Sequence, residues 1–176
     1  MEDNPMNGDT AKDWEDVRAY SLNETDEEEL LRRQTECTLI WSSLDGHPMG
    51  VIVNYIFRAR HFWLTATKVR PRIRALRADP RVSIAITSKG SGIAVSKSLT
   101  YKGTCVLHED DETKAWFFPD FAGVLRPDSP EKAASFAAHL NSPGRVVLEV
   151  VPDKRVGFDS SKMWQAAPSA APVSLG

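Results

Sequence analysis

The sequence has two cysteines, Cys37 and Cys105, too few for a disulfide framework. No uncharged apolar run approaches the roughly 18–20 residues that a helix needs to cross a bilayer. The first residues are acidic and no apolar stretch follows them, so no secretion signal is expected, and the cytoplasm is the expected compartment. Metal-ligand spacing is missing as well. His47, His61, His108 and His139 fall on different predicted elements, with no His-x-x-x-His or Cys-x-x-Cys pair. There is no Gly-x-Ser-x-Gly elbow, and both cysteines lie within predicted strands, where a small buried hydrophobe is the expected role. These absences set aside metal-centred and acyl-enzyme chemistry.

What is present is ordinary in amount and uneven in arrangement. With 176 residues, 41% of them hydrophobic and 26% charged, the chain suits one globular domain. Its net charge of −2 is the sum of two opposed segments. Residues 1–36 carry twelve acids against Lys12, Arg18, Arg32 and Arg33, a balance of −8. Residues 58–81 carry Arg58, Arg60, Lys68, Arg70, Arg72, Arg74, Arg77 and Arg81 against Asp79 alone, a balance of +7. An anionic ligand is therefore sought in the second segment.

Residues 1–24 read as a polar arm. Thr25 with Glu28 fits a capping box, and acids before Arg32 and Arg33 suit the helix dipole, which predicts a helix over 26–35. Residues 37–43 are β-branched and aromatic and stop at Asp45-Gly46, a hairpin signal. A return run over 49–58, a turn at 58–60 and a third run over 61–67 predict an antiparallel meander. Pro71 suits the first turn of a helix that Asp79-Pro80 ends. Strands are predicted over 81–87 and 93–108, the latter interrupted at Gly103. Helices follow over 110–123, with an aromatic patch from Trp116 to Phe121 read as packing, and from Ser129 to about 140. The last strand spans 145–151, with 154–158 as its extension, and 166–176 reads as a tail. Strands dominate and no βαβ repeat occurs, so the fold class is mainly β within α+β, an antiparallel barrel or sandwich with short peripheral helices.

The strongest chemical signal lies where the third strand meets the Pro71 helix. Thr65, Thr67, Lys68, Arg70 and Arg72 bring hydroxyls, an ammonium and guanidinium groups to a helix start whose N–H groups lack chain partners, a natural phosphate cradle. Arg74, Arg77 and Arg81 recur at spacings that form a solvated helix face needing no ligand. Nucleic acid is a poor rival anion. The whole-chain pI is near 6.1, and the basic stretch has no interleaved aromatic platform beyond Phe62 and Trp63.

The order of parts resembles the pyridoxamine 5′-phosphate oxidase-like, FMN-binding split β-barrel superfamily. The resemblance rests on the strand ending at Trp41, the Asp45–Pro48 turn, the strand 51–55, Phe62 to Thr65, and the run Leu76, Arg77, Asp79, Pro80, Arg81, Val82. Lys102 to Leu107 and the late strand 150–154 continue it, so that it covers about residues 30–160. It implies an antiparallel split barrel spanning 25–165, a homodimer with flavin sites between subunits, FMN as cofactor and a small organic substrate. It also implies that Thr65, Thr67, Lys68, Arg70 and Arg72 hold the flavin phosphate. Val53, Asn54 and Tyr55 would run beside the flavin ring, Ser88, Lys89 and Ser98 would add polar groups, and Trp164 would cap the partner's site. Val69-Arg70-Pro71-Arg72 replaces the family's usual Ser-x-Lys. No C-terminal Arg-Leu-x-Pro follows, which disfavours pyridoxal phosphate synthesis, and no histidine follows His139, which disfavours heme degradation. The resemblance implies an oxidoreductase using FMN, with F420 as the alternative cofactor and a non-catalytic flavin-binding module as a third reading. It assigns no side-chain acid or base, because the flavin carries the hydride step.

Overall fold

The computed structural model describes residues 17–171. Alternating apolar residues produce seven strands: β1 (Glu36–Ser42), β2 (Pro48–Asn54), β3 (Ile56–Arg58), β4 (His61–Thr67), β5 (Arg81–Thr87), β6 (Lys97–His108) and β7 (Arg145–Asp159). They form one sheet in the order β2-β1-β5-β6-β7-β4-β3, with every neighbouring pair antiparallel. β2 and β3 stand at opposite ends of this order, yet only Tyr55 separates them along the chain. The chain thus passes from one edge of the sheet to the other at a single residue, closing it as the expected antiparallel split barrel.

The predicted run over 49–58 is therefore two strands. Tyr55 is 1% exposed, its ring packs edge-on to Phe62 at 5.4 Å, and its N–H donates to the Thr35 carbonyl at 2.9 Å. Burial of this one ring decides where the run breaks.

Period-two burial fills the barrel. Cys37 and Leu39 of β1, Phe62, Leu64 and Ala66 of β4, and Val82, Ile84 and Ile86 of β5 face inward. Each large apolar side chain so buried contributes about 1.5–3 kcal/mol. Helix α1 (Glu24–Arg33) adds Leu30 and Leu31 to this core, and α2 (Pro71–Ala78) adds Ile73 and Leu76. A second core lies outside the barrel wall. There α3 (Asp111–Leu125) and α4 (Pro130–Leu140) pack Phe117, Phe118, Phe121 and Leu140 on Ile56 and Val147. The aromatic patch is this packing.

Several boundaries differ from the sequence expectation. α1 begins at Glu24 because Asn23, rather than Thr25, caps it: its Oδ1 accepts from the Asp26 N–H at 2.8 Å. β6 starts at Lys97, since Ser88 holds the preceding loop closed. The Ser88 hydroxyl donates to the Val95 carbonyl at 2.8 Å and accepts from the Lys97 N–H at 2.9 Å. β6 bulges between Lys102 and Gly103, where a Cβ on Gly103 would sit 2.3 Å from the Val151 carbonyl oxygen, so only glycine fits. β7 unites the two predicted runs into one 15-residue strand. α5 (Ser160–Ala166) and a short 3₁₀ turn (Pro168–Ala170) occupy the start of the expected tail, whose residues 172–176 lie outside the described residues. Residues 1–16 of the expected arm do too, while Tyr20 and Leu22 are buried, Tyr20 edge-on to Phe158. No helix among the described residues is long and apolar enough to cross a membrane.

Candidate cofactor site

Three local devices shape the junction of β4 and α2. The Lys68 N–H donates to the Gly144 carbonyl at 2.8 Å and the Arg70 N–H to the Thr67 carbonyl at 3.0 Å, which turns the chain off the sheet. Pro71 then opens α2 with its φ already helical. Arg70 occupies the N-cap position, but its side chain makes no capping bond, so the first turn of α2 has no side-chain cap.

Against this junction opens a cleft of ≈ 890 Å³, the largest of those described. One wall is Lys68, Val69, Arg70 and Arg74; the other is the β1–β2 hairpin with Trp41, Asp45, His47 and Met49. The cleft thus joins apolar surface to several cations.

The cations divide by whether a carboxylate already holds them. Lys68 and Arg77 share Glu109 at 2.6 and 2.5 Å, and this pair of charges holds the Glu109 carboxyl below the ordinary carboxylate range. Arg81 makes a two-pronged contact with Asp79, whose carboxyl is lowered to about 2 by those bonds. Arg58 pairs with Asp120 and lies 4.4 Å over the Trp116 ring. Arg70, Arg72 and Arg74 have no carboxylate partner among the described residues. Arg72 Nε is buried without a hydrogen-bond acceptor among the described residues, and burial followed by the Arg70 charge pulls its basicity below the usual guanidinium value. The sequence reading grouped Lys68 with the cradle and Arg74 with the solvated face; among the described residues Lys68 is engaged by Glu109 and Arg74 has no carboxylate partner.

The other expected residues fall elsewhere. Thr65 and Thr67 lie on the outward face of β4, with Thr65 Oγ1 donating to the Val146 carbonyl at 3.0 Å. Val53 points into the barrel opposite Cys37, and the Tyr55 hydroxyl is buried there without a partner among the described residues, its pKa pushed up by burial. Asn54 is half-buried and its Nδ2 donates to the Thr35 carbonyl at 3.3 Å. Asn54 pairs with Glu36, and Ser98 pairs with Thr87, so both belong to one end of the strands. Ser88, with its hydroxyl engaged in the loop, and exposed Lys89 follow Thr87. Trp164 is half-buried on α5. The Asn54 end and the cleft are separated along β1 by the five residue steps from Glu36 to Trp41, about 17 Å. One chain therefore brings Lys68 and Arg70 together at the cleft, with Arg72 one residue into α2, and holds Asn54, Ser88, Lys89 and Ser98 apart from them.

The sequence reading missed a cluster on the outer face of β4, β7 and β6. Glu149, 15% exposed, binds His61 Nδ1 at 2.6 Å through one oxygen and His108 Nε2 at 2.7 Å through the other. The three residues lie 41 and 88 positions apart, so no local spacing announces them.

Comparison with known proteins gives the family and the fold. The family model described as pyridoxamine 5′-phosphate oxidase matches residues 25–155. No curated protein matches the sequence at a significant level. Among solved structures, a conserved hypothetical protein from Mycobacterium tuberculosis is similar over 90% of this chain and 94% of its own, at 17% identity and a TM-score of 0.70. A FAD-binding protein from Mesorhizobium loti is similar over 79% of this chain and 96% of its own, at 17% identity and a TM-score of 0.57. An F420 reductase is similar over 73% and 94%, at 17% identity and a TM-score of 0.50. At such identities these structures show a shared fold, and the family match spans most of the barrel. The chain belongs to the pyridoxamine 5′-phosphate oxidase family.

Proposed function

We propose that the protein is an FMN-dependent oxidoreductase acting on a small organic molecule, and that it works as a homodimer with flavin sites between subunits. The observation that carries this reading is Arg72. A buried guanidinium nitrogen without an acceptor costs about 1–3 kcal/mol, and a ligand oxygen relieves that cost. With unpaired Arg70 beside it and the uncapped first turn of α2, Arg72 fits a terminal phosphate. The Thr65 and Thr67 hydroxyls and Lys68 precede it on the same segment.

A bound flavin supplies hydride transfer; the chain binds it, orients it and excludes water. In this reading Arg70 and Arg72 hold the phosphate. Asn54 and Ser98 of the partner subunit meet the ring, because within one chain they lie about 17 Å from the cleft along β1. The outer face of β2, β1 and β5 favours a partner: Thr38, Ile40, Ile52 and Ala85 are half-exposed or exposed there, Ile52 at 71%. Trp164 is the candidate cap of the partner's site. A cytoplasmic location is compatible with the two unbridged thiols.

F420 is the second reading, favoured by Arg70 and Arg74 together. Both line the cleft without a carboxylate partner and suit a ligand with more than one anionic group. The test is a spectrum of the purified protein followed by titration with each cofactor. FMN binding is expected at micromolar or tighter affinity, with absorbance near ~450 nm and quenched flavin fluorescence. Saturable binding of F420 alone selects the second reading, and binding of neither rejects both.

A further inference from the structure

A second pocket, of ≈ 460 Å³, shares no residue with the cofactor cleft. Its walls are the β3–β4 hairpin, the middle of β7, and Tyr101 with Glu27. The hairpin is a two-residue turn, Ala59-Arg60, between paired Arg58 and His61. Both turn residues are left-handed, with φ of 53° and 64°, where glycine or asparagine is the economical choice. Arg60 thus keeps a long cationic side chain at a position that penalises any side chain.

That side chain has no hydrogen bond or ion pair among the described residues, although its charge acts on the Tyr101 phenol. Lys154, also lining the pocket, is likewise without a partner there. The remaining groups are arranged around these two. Glu27 accepts from the Tyr101 hydroxyl at 2.5 Å and from Arg155 at 2.9 Å, so both are engaged, and Asp153 on the rim offsets one positive charge. His61 lines the pocket with its Nδ1 bonded to Glu149. A carboxylate oxygen accepts from the Nδ1 N–H, which leaves Nε2 for a ligand: it accepts from a phosphate P–OH while the ring is neutral and donates to a phosphate oxygen when the ring is protonated.

We propose that this pocket is a second anion site, for free phosphate or a phosphate monoester, gripped by Arg60 and Lys154 and hydrogen-bonded by His61 Nε2. Arginine supplies two parallel N–H donors to such an oxyanion and lysine a point charge. The site faces a different part of the barrel from α2, and it stands whether or not a flavin binds.

The experiment titrates the full-length protein with inorganic phosphate while following the imidazole resonances of His61, with His139 on α4 as the internal control. A saturable shift confined to His61 is expected. Arg60→Gly should weaken it by about tenfold, the loss of a charge-assisted contact, and yet raise the thermal midpoint by about 2–4 °C, because glycine relieves the left-handed turn. Lys154→Ala should weaken it several-fold. Arg72→Ala should leave it unchanged. Glycerol 3-phosphate binding more tightly than phosphate identifies a monoester ligand, and equal binding identifies free phosphate. Absence of a saturable His61 shift overturns the proposal, as does undiminished affinity in both Arg60→Gly and Lys154→Ala. Loss of the shift in Arg72→Ala overturns it too, since phosphate would then act from the cofactor cleft.

Discussion

Helices α1 and α2 carry opposite charge and use it in opposite ways. Two acids of α1 turn inward on the fold: Asp26 pairs with Lys97 at 2.7 Å, and Glu27 holds both Tyr101 and Arg155. Lys97 and Tyr101 are only 8% and 5% exposed, so these contacts tie α1 across β6 and β7. At the start of α2, Arg70, Arg72 and Arg74 find no acid among the described residues, although an acidic helix exists in the same domain. Charge that the fold consumes is structural, and charge that it leaves over, beside a buried unpartnered nitrogen, is available to a ligand. Net charge by segment does not distinguish the two; partners do.

The comparison breaks if Asp26 and Glu27 prove dispensable for stability or the arginines at the start of α2 indispensable for it. The largest expected effect is that of Glu27→Ala, which strands the Tyr101 hydroxyl and Arg155 together. It should cost about 2–3 kcal/mol, read as a lower urea midpoint, with FMN affinity retained. The interior between the helices also excludes charge, and alkaline unfolding tests this. Burial pushes the Cys37 and Cys105 thiols from 9.0 up to about 12. Unfolded thiols therefore ionise first, and stability should be full below about pH 9 and fall as pH climbs toward 12. Urea midpoints at several pH values check the slope, and a thiol reagent should modify neither cysteine of the native protein near neutral pH. Arg74→Ala should weaken FMN binding by about threefold at low salt and hardly at all at high salt, since an exposed charge acts through a screened field. The smallest effect belongs to Arg77→Ala. Its pair with Glu109 is exposed, so stability should change by no more than about 0.5 kcal/mol and FMN affinity should not change.

Local chemistry was legible in the sequence. Asp45-Gly46 forms its turn with Gly46 at φ 85°, Pro71 opens α2, Ser129 caps α4, and the alternation in 81–87 is the buried face of β5. What escaped depends on distant partners. Tyr55 divides a β-branched run because the Thr35 carbonyl and the Phe62 ring receive it, and neither is adjacent in sequence. Asn23 captures the α1 cap from Thr25, a competition between two good capping residues that spacing alone leaves open. Lys68 belongs by sequence to the cradle and Arg74 to a solvated face; Glu109, 41 residues beyond Lys68, engages Lys68 and not Arg74. The Glu149 cluster has the same origin, assembled by strand pairing rather than by motif.

The central claim is that the start of α2 holds a cofactor phosphate through Arg72, and FMN titration of the wild-type protein beside Arg72→Ala tests it most directly. The account predicts at least about tenfold weaker binding in the variant, corresponding to the lower end of a charge-assisted hydrogen bond, with the urea midpoint preserved. Equal FMN affinity in the two proteins, with both folded, would contradict it.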